Sequence, residues 1–424
     1  MHIIKELTKK WGHIQYPFLI HSNGELFFKD IIRHTTKNLD LIQPSDVVAL
    51  IGDFDPKTIS IMLNLMEKDA IIVPLTKDTK DQHNYFFDSA AVKYVFEYDK
   101  FEIINKSYKK NDLLINLQSR NKGGIILFSS GTTAKPKAIL HNLDVFLKRF
   151  NTPRPTLRTI NFLLFDHIGG INTLFHTLFN LGTIIVPDNR KIDTILSVCE
   201  KYNVELLPTT PTFLRLLIIG GYVPQKIPKS LKIITYGTER MDQFTLDRLC
   251  SLLPKIDFRQ TYGMSELGIF RIKSKSRNSL FMKVGGEGVE TRIVNNMLEI
   301  KSKNRMEGYL NAKSPFDADG WYRTEDIVDQ DGEYIKITGR GNEIINVGGL
   351  KFMASEVERE ILSFEGVKFA SVIGKDNPIT GQHTELIVEK AEGFNLDKKH
   401  LKKFLTKRLP KHMIPSRIQI KKIN

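Results

Sequence analysis

Short apolar runs alternate with amphipathic stretches through most of the chain. Asp46-Val47-Val48-Ala49-Leu50-Ile51 predicts a strand, Pro56–Lys68 a helix and Ala70–Pro74 the next strand, which together read as a βαβ unit. Val92–Phe96 and Gly124–Phe128 predict two more strands. The pattern then resumes with Gly182–Pro187 (strand), Ile192–Tyr202 (helix), Val204–Pro208 (strand), Pro211–Ile219 (helix) and Leu231–Thr235 (strand). Such alternation argues for a layered α/β domain with largely parallel sheets. Beyond Asp326 the character changes. Asp329–Ile337 predicts a hairpin turning at Asp331-Gly332, and Gly339-Arg340-Gly341-Asn342 then interrupts the chain. A helix (Ala354–Ser363), two strands (Lys368–Ile373 and Thr384–Glu389) and a last helix (Leu396–Arg408) follow. The expectation is a large layered α/β domain over residues 1–339 and a small α+β domain over residues 340–424, joined by a hinge near residue 341.

Composition narrows the class without choosing a function. The chain has 424 residues, enough for two or more domains, and its 41% hydrophobic and 26% charged content is that of a globular protein. No run approaches the ~18 apolar residues that cross a bilayer, and Met1–Leu7 lacks the order of a signal peptide. Cys199 and Cys250 form neither a metal spacing nor a disulfide framework. A cytoplasmic protein with no membrane span is expected. The net charge of +14 raises the question of an acidic partner. Its densest stretch, Lys398–Lys422, holds ten Lys and Arg with no Asp or Glu. It reads first as a solvated helix face and second as attraction to an anionic cofactor or carrier protein. No aromatic-interleaved basic groove or zinc signature points to nucleic acid.

Candidate chemistry sits at the ends of the predicted strands. Ile125–Phe128 empties into Ser129-Ser130-Gly131-Thr132-Thr133-Ala134-Lys135-Pro136-Lys137. A glycine that lets the backbone come close, hydroxyl and N–H donors and a mobile cation suit a polyphosphate. The spacing is not that of the P-loop. Gln260-Thr261-Tyr262-Gly263-Met264-Ser265-Glu266-Leu267-Gly268 combines an aromatic, a glycine and a carboxylate, as stacking on a base and holding Mg²⁺ would require. The same string also reads as a capped helix start at Ser265-Glu266. Tyr236-Gly237-Thr238-Glu239 ends a strand, where ligands bind in such sheets. Asp326, after Trp321–Glu325, can accept from both hydroxyls of a ribose. His167 lies in Leu164–Gly170, just before an apolar helix.

Taken together and in this order, Ser129–Lys137, Thr261–Glu266, Tyr322–Asp326 and Thr338–Lys351 resemble the motifs of the adenylate-forming superfamily, which contains acyl-CoA synthetases, luciferase and peptide-synthetase adenylation domains. The resemblance runs from residue 129 to residue 351. It implies an AMP-forming ligase that turns a carboxylic acid and ATP into acyl-adenylate and passes the acyl group to the thiol of coenzyme A or of a carrier-protein phosphopantetheine. Ser129, Ser130, Gly131, Thr132, Thr133 and Lys137 would hold the phosphates. Glu266 would be the Mg²⁺-side carboxylate, with Gly237, Thr238, Glu239, Thr261 and Tyr262 beside the AMP. Asp326 would anchor the ribose, and Arg340 would contact the nucleotide. His167 would flank the substrate carboxylate, and Gly348-Gly349 would line the pantetheine tunnel. Two departures stand out. Glu325 occupies a position that is usually glycine, and Asn342 stands at the hinge where relatives carry Asp or Lys. Relatives also carry a P-x-[TS]-x-x-G-K segment after a lead-in like Leu409–Pro415, and its lysine is not in this sequence. That raises the alternative of an adenylation-impaired or non-catalytic nucleotide-binding member of the fold.

Overall fold

In the computed structural model the described residues are 3–22, 24–34, 37–109, 111–129, 135–341, 344–391 and 393–421. Two seven-stranded sheets form the larger part. The first runs Gly308–Tyr309, Ala138–Asn142, Gly124–Phe128, Ile71–Leu75, Val47–Ile51, Tyr94–Glu97, Lys100–Ile103. Its four middle strands are parallel. The second runs Asp257–Gln260, Ile233–Tyr236, Leu206–Thr209, Arg158–Ile160, Thr183–Ile185, Leu19–His21, Gly24–Leu26, and is parallel except for the final hairpin.

The unbroken apolar runs have a simple cause. Val48 and Leu50 face the central core, and Val47, Ala49 and Ile51 face the outer one, so both faces of the strand are buried. The central core joins the helices Pro56–Glu67 and Ile168–Phe179 to inner residues of both sheets, including Ile125, Leu127, Leu19 and Ile184. Helices Ile192–Lys201, Pro211–Ile219 and Gln243–Leu252 cover the far face of the second sheet. Cys199 and Cys250 are buried there as free thiols.

A six-stranded antiparallel sheet follows, in the order Arg271–Ser274, Met282–Gly285, Tyr334–Arg340, Tyr322–Asp331, Met297–Ser302, Val289–Val294. Two expectations are corrected here. Asp331 pairs with Tyr334, so the hairpin loop is Gly332-Glu333 rather than Asp331-Gly332. Gly332 has φ +61°, which suits the first central position of a tight hairpin turn. Gly339 and Arg340 do not break the chain; they are the last residues of the strand Tyr334–Arg340. The segment from Ile344 forms a separate five-stranded sheet with the helices Ala354–Leu362 and Lys398–Thr406 packed against it around a core of its own. No helix among the described residues is long and apolar enough to cross a membrane.

Candidate functional site

The strand Gly124–Phe128 turns antiparallel into Ala138–Asn142, and the neck of the connecting loop is closed by two bonds. Ser129 N–H donates to the Lys137 carbonyl and Lys137 N–H to Ser129 Oγ, both at 3.0 Å. Ser130, Gly131, Thr132 and Thr133 lie outside the described residues. On the far side of Ala138–Asn142, Tyr309 pairs with Ile139. That register places the Tyr309 ring under the Lys137 ammonium, 4.9 Å from the ring centroid.

The Tyr309 hydroxyl donates to Glu266 Oε1 at 2.7 Å, and Tyr322 lies against the same carboxylate. Burial, and then the Glu266 charge, push both phenols well above their ordinary range, so they remain donors. Glu266 is itself buried, and its loop is fixed from behind. The Met306 N–H donates to the Glu266 carbonyl at 2.8 Å, and His141 Nε2 donates to the Ser265 carbonyl at 2.6 Å. Burial, then the charge of Arg149, push His141 down to about 3, so it is a neutral prop. The helix start at Ser265 does not form. Gly263–Met264 and Gly268–Ile269 pair as short strands, so close that a Cβ on Gly263 would lie 2.5 Å from the Gly268 carbonyl.

A second set forms around Asp326, which is 2% exposed. It accepts from the Tyr262 hydroxyl at 2.6 Å and from Arg340 Nε at 2.9 Å. The Tyr262 ring is buried and stacked on Phe270, so its hydroxyl is the part it brings to the site. Glu325, the departure beside Asp326, has φ +62°. That left-handed conformation favours glycine, which explains why a glycine serves well at this position.

The carboxyl ends of the second sheet lie beside this set. Thr261 N–H and Oγ1 both donate to the Tyr236 carbonyl, at 2.7 and 3.1 Å. Gly237 is packed on Thr261 so tightly that a Cβ would sit 2.0 Å from its Oγ1. Thr238 is left-handed at φ +68°, and Glu239 turns away to accept from Thr212 N–H and Oγ1 at the start of the helix Pro211–Ile219. Thr209 Oγ1 and Gln260 Oε1, at the ends of the two strands that flank Ile233–Tyr236, are buried without a hydrogen-bond partner among the described residues. Such groups in a native protein call for an explanation, and a ligand edge is one.

His167 is half-buried at the N-cap of the helix Ile168–Phe179, and its side chain does not cap that helix. Gly348 and Gly349 form the turn between Ile344–Val347 and Leu350–Met353, with φ of +62° and +85° and open space around both. Among the described residues no hydrogen bond ties that turn to Lys137, Glu266 or Asp326; it is tied to Thr380 instead. Asn342 lies outside the described residues.

Sequence motifs gave no hint of Arg240. Thr338 is an extra residue in its strand, because Ile327 pairs with Gly339 while Val328 pairs with Ile337. A bulge of this kind releases a carbonyl from the ladder. The freed Thr338 oxygen accepts from Arg240 Nη1 and, at 3.1 Å, from Ser355 Oγ. Arg240 Nη2 also reaches Glu358 on the helix Ala354–Leu362 at 3.3 Å. Arg240 thus latches the second sheet to the C-terminal segment across a cleft of about 1540 Å³. Hydrogen bonds contribute ~0.5–1.5 kcal/mol each. Arg240→Ala should therefore favour detachment of the C-terminal segment by roughly 2- to 10-fold, read as faster limited proteolysis near residue 341. An unchanged cleavage rate would show that the latch holds nothing.

The family model for AMP-binding enzymes matches residues 37–322, more than half of the chain, and that for the AMP-binding enzyme C-terminal domain matches residues 356–423. The chain belongs to the AMP-binding enzyme family. This AMP-binding enzyme is 22% identical over 413 residues to a 2-succinylbenzoate–CoA ligase of Listeria monocytogenes, covering 89% of this chain and 85% of the relative. It is 24% identical over 349 residues to acyl-CoA synthetase 7 of Caenorhabditis elegans, covering 74% and 64%. Among solved structures, ATP-bound MatB from Rhodopseudomonas palustris superposes with a TM-score of 0.81 at 20% identity, over 99% of this chain and 94% of that one. The o-succinylbenzoate CoA synthetase MenE of Bacillus subtilis, in complex with its acyl-adenylate intermediate OSB-AMP, gives 0.76 at 16% identity, over 99% and 94%. At these identities the likeness establishes a shared architecture, the α/β fold expected from the sequence.

Proposed function

We propose that this AMP-binding enzyme is an AMP-forming acid–thiol ligase, with residues 1–339 binding ATP and acid and residues 340–424 turning between two half-reactions. A carboxylate oxygen of the acid attacks the α-phosphorus of ATP, the bond to the pyrophosphate oxygen breaks, and acyl-AMP forms. A thiolate then attacks the acyl carbon and AMP leaves. The observation that carries the reading is a pair of sets, Lys137, Tyr309 and Glu266 in one and Tyr262, Asp326 and Arg340 in the other, linked by Tyr322, which lies against Glu266 and within reach of the Arg340 charge. One set has the charges a triphosphate needs; the other has a fixed carboxylate suited to a ribose. Lys137 and the loop from Ser129 would hold the phosphates, and Thr261, Gly237, Thr238 and Glu239 would wall the nucleotide. His167 would stand beside the acid.

Among the described residues no group of three or more His, Cys, Asp or Glu could cage a metal ion. A single buried carboxylate, Glu266, fits Mg²⁺, which keeps its waters and takes its remaining oxygens from nucleotide phosphates. Bound there, it would neutralise phosphate charge. The acceptor thiol belongs to coenzyme A or to a carrier-borne phosphopantetheine, with Gly348-Gly349 lining its path. The family match and its named CoA-ligase relatives support a ligase, and neither favours a non-catalytic binding protein. ATP–pyrophosphate exchange across aliphatic, aromatic and amino acids tests the reading, and exchange with none of them would end it. Lys137→Ala should lower exchange about tenfold or more, the scale of one charged hydrogen bond, while the fold remains intact because the residue is exposed. Near-normal exchange in that variant would remove Lys137 from the phosphate site.

A further inference from the structure

The helix Ile168–Phe179 begins at His167 and packs on the strand Gly268–Ile269, two residues past Glu266. Its threonines are satisfied within the helix, Thr173 donating to Gly169 and Thr177 to Thr173. Asn172 and His176 are one turn apart on a shared face, and Asn172 Oδ1 and His176 Nδ1 are buried with no hydrogen-bond partner among the described residues. The His176 ring meets Phe150 edge-on at 4.9 Å. The residue before Phe150 is Arg149, whose guanidinium is pressed onto Gly268 so closely that a Cβ there would lie 1.4 Å from Nη1. It also covers the Phe146 ring at 4.7 Å and donates from Nη2 to the Asn304 carbonyl at 3.1 Å. Its Nε is buried, with no hydrogen-bond partner among the described residues.

Arg154 and Arg271 stand exposed nearby, close enough that their charges, with that of Arg149, add to burial in pushing His176 down to about 3. Among the described residues none of Arg149, Arg154, Arg271 or His176 makes an ion pair. Burying a guanidinium is costly, and among the described residues Arg149 has one neutral carbonyl as its acceptor and no carboxylate to balance its charge. Arg149 Nε, His176 Nδ1 and Asn172 Oδ1, three buried polar atoms with no hydrogen-bond partner among the described residues, call for a group from outside the chain. An arginine Nε–H, an imidazole and an amide, which can present either end, are together a donor set for a carboxylate.

We infer that the acid taken by this enzyme carries a second carboxylate, distal to the one it activates, and that Arg149, His176 and Asn172 hold it while Arg154 and Arg271 draw it in. The inference rests on the ligase reading and names its substrate class. From His167 to His176 the helix advances about 13 Å, so the two carboxylates are separated by a ring or a chain of several bonds rather than by a single methylene.

The test uses matched pairs: suberate against octanoate, and 2-succinylbenzoate against 4-oxo-4-phenylbutyrate, which lacks the ring carboxylate. Each acid is measured by calorimetric binding and by pyrophosphate exchange. The wild-type enzyme should favour the diacid of at least one pair by about tenfold or more, the worth of a charged hydrogen bond. Arg149→Met and His176→Leu should bring the ratio near one or below. Arg271→Ser, on an exposed strand position where folding is not at issue, should weaken the diacid alone, by roughly 2- to 5-fold and less at high salt. Equal use of both members of each pair by the wild-type enzyme would overturn the inference. So would variants that lower both members equally. If no acid supports exchange, the ligase reading fails, and the calorimetric preference still decides whether this face binds a second carboxylate.

Discussion

Glu266→Gln should slow acyl-adenylate formation by roughly 100- to 1000-fold, as expected when one preorganised charge worth about 3–4 kcal/mol is removed from a developing transition state. The change is close to isosteric. Glutamine can still accept from the Tyr309 hydroxyl through its amide oxygen, and the loop remains held by His141 and Met306 through main-chain carbonyls. The loss therefore reports on the charge and not on the fold. Pyrophosphate exchange measured over a range of Mg²⁺ concentrations checks it, with the variant also needing more of the ion. A variant within about threefold of wild type would show that the carboxylate serves Tyr309 and Tyr322 alone.

Asp326→Ala should act on the nucleotide and on the protein at once. Removing the acceptor forfeits charged hydrogen bonds to a ribose worth about 1.5–3 kcal/mol, or roughly 10- to 150-fold in nucleotide affinity. Preference for ATP over 2′,3′-dideoxy-ATP should vanish with it. The same change strands the Tyr262 phenol, which burial and then the Asp326 charge hold well above its ordinary pKa, and removes the carboxylate to which Arg340 Nε donates. A buried donor left unpaired costs about 1–3 kcal/mol, so the melting temperature should fall as well. Calorimetric binding of both nucleotides separates these effects. A variant that still prefers the natural ribose would assign the anchor to another residue.

Much of the larger part was legible because its strands are buried on both faces. Runs such as Val47–Ile51 and Gly124–Phe128 admit few other readings, and the helices Pro56–Glu67 and Pro211–Ile219 begin at prolines that fix their first turns. The antiparallel sheet was harder. Val289–Val294 reads Val-Glu-Thr-Arg-Ile-Val with exposed central residues, and Arg271–Ser274 buries little, so neither gives a clean period. In the site, Glu266, Asp326 and Lys137 stood inside strings whose chemistry could be read directly. Tyr309 and Arg240 did not, because each acts through a partner far along the chain: Tyr309 through its pairing with Ile139, Arg240 through a carbonyl 98 residues away. Motif spacing carries no record of such contacts. The helix start at Ser265 failed for a local reason, since two glycines let strands approach where a helix would otherwise begin.

The bulge at Thr338 has a consequence for how such an enzyme changes over generations. A backbone oxygen is the same in every amino acid, so no ordinary side-chain exchange at 338 deletes the acceptor that Arg240 and Ser355 share. Inheritance can reach the contact only through its donors, with the strand offset preserved by the pairing on either side. Codon 240 is thus a dial on domain coupling, and codon 338 is not. Lineages that need a looser or tighter C-terminal segment would diverge at the arginine while keeping the same kinked strand.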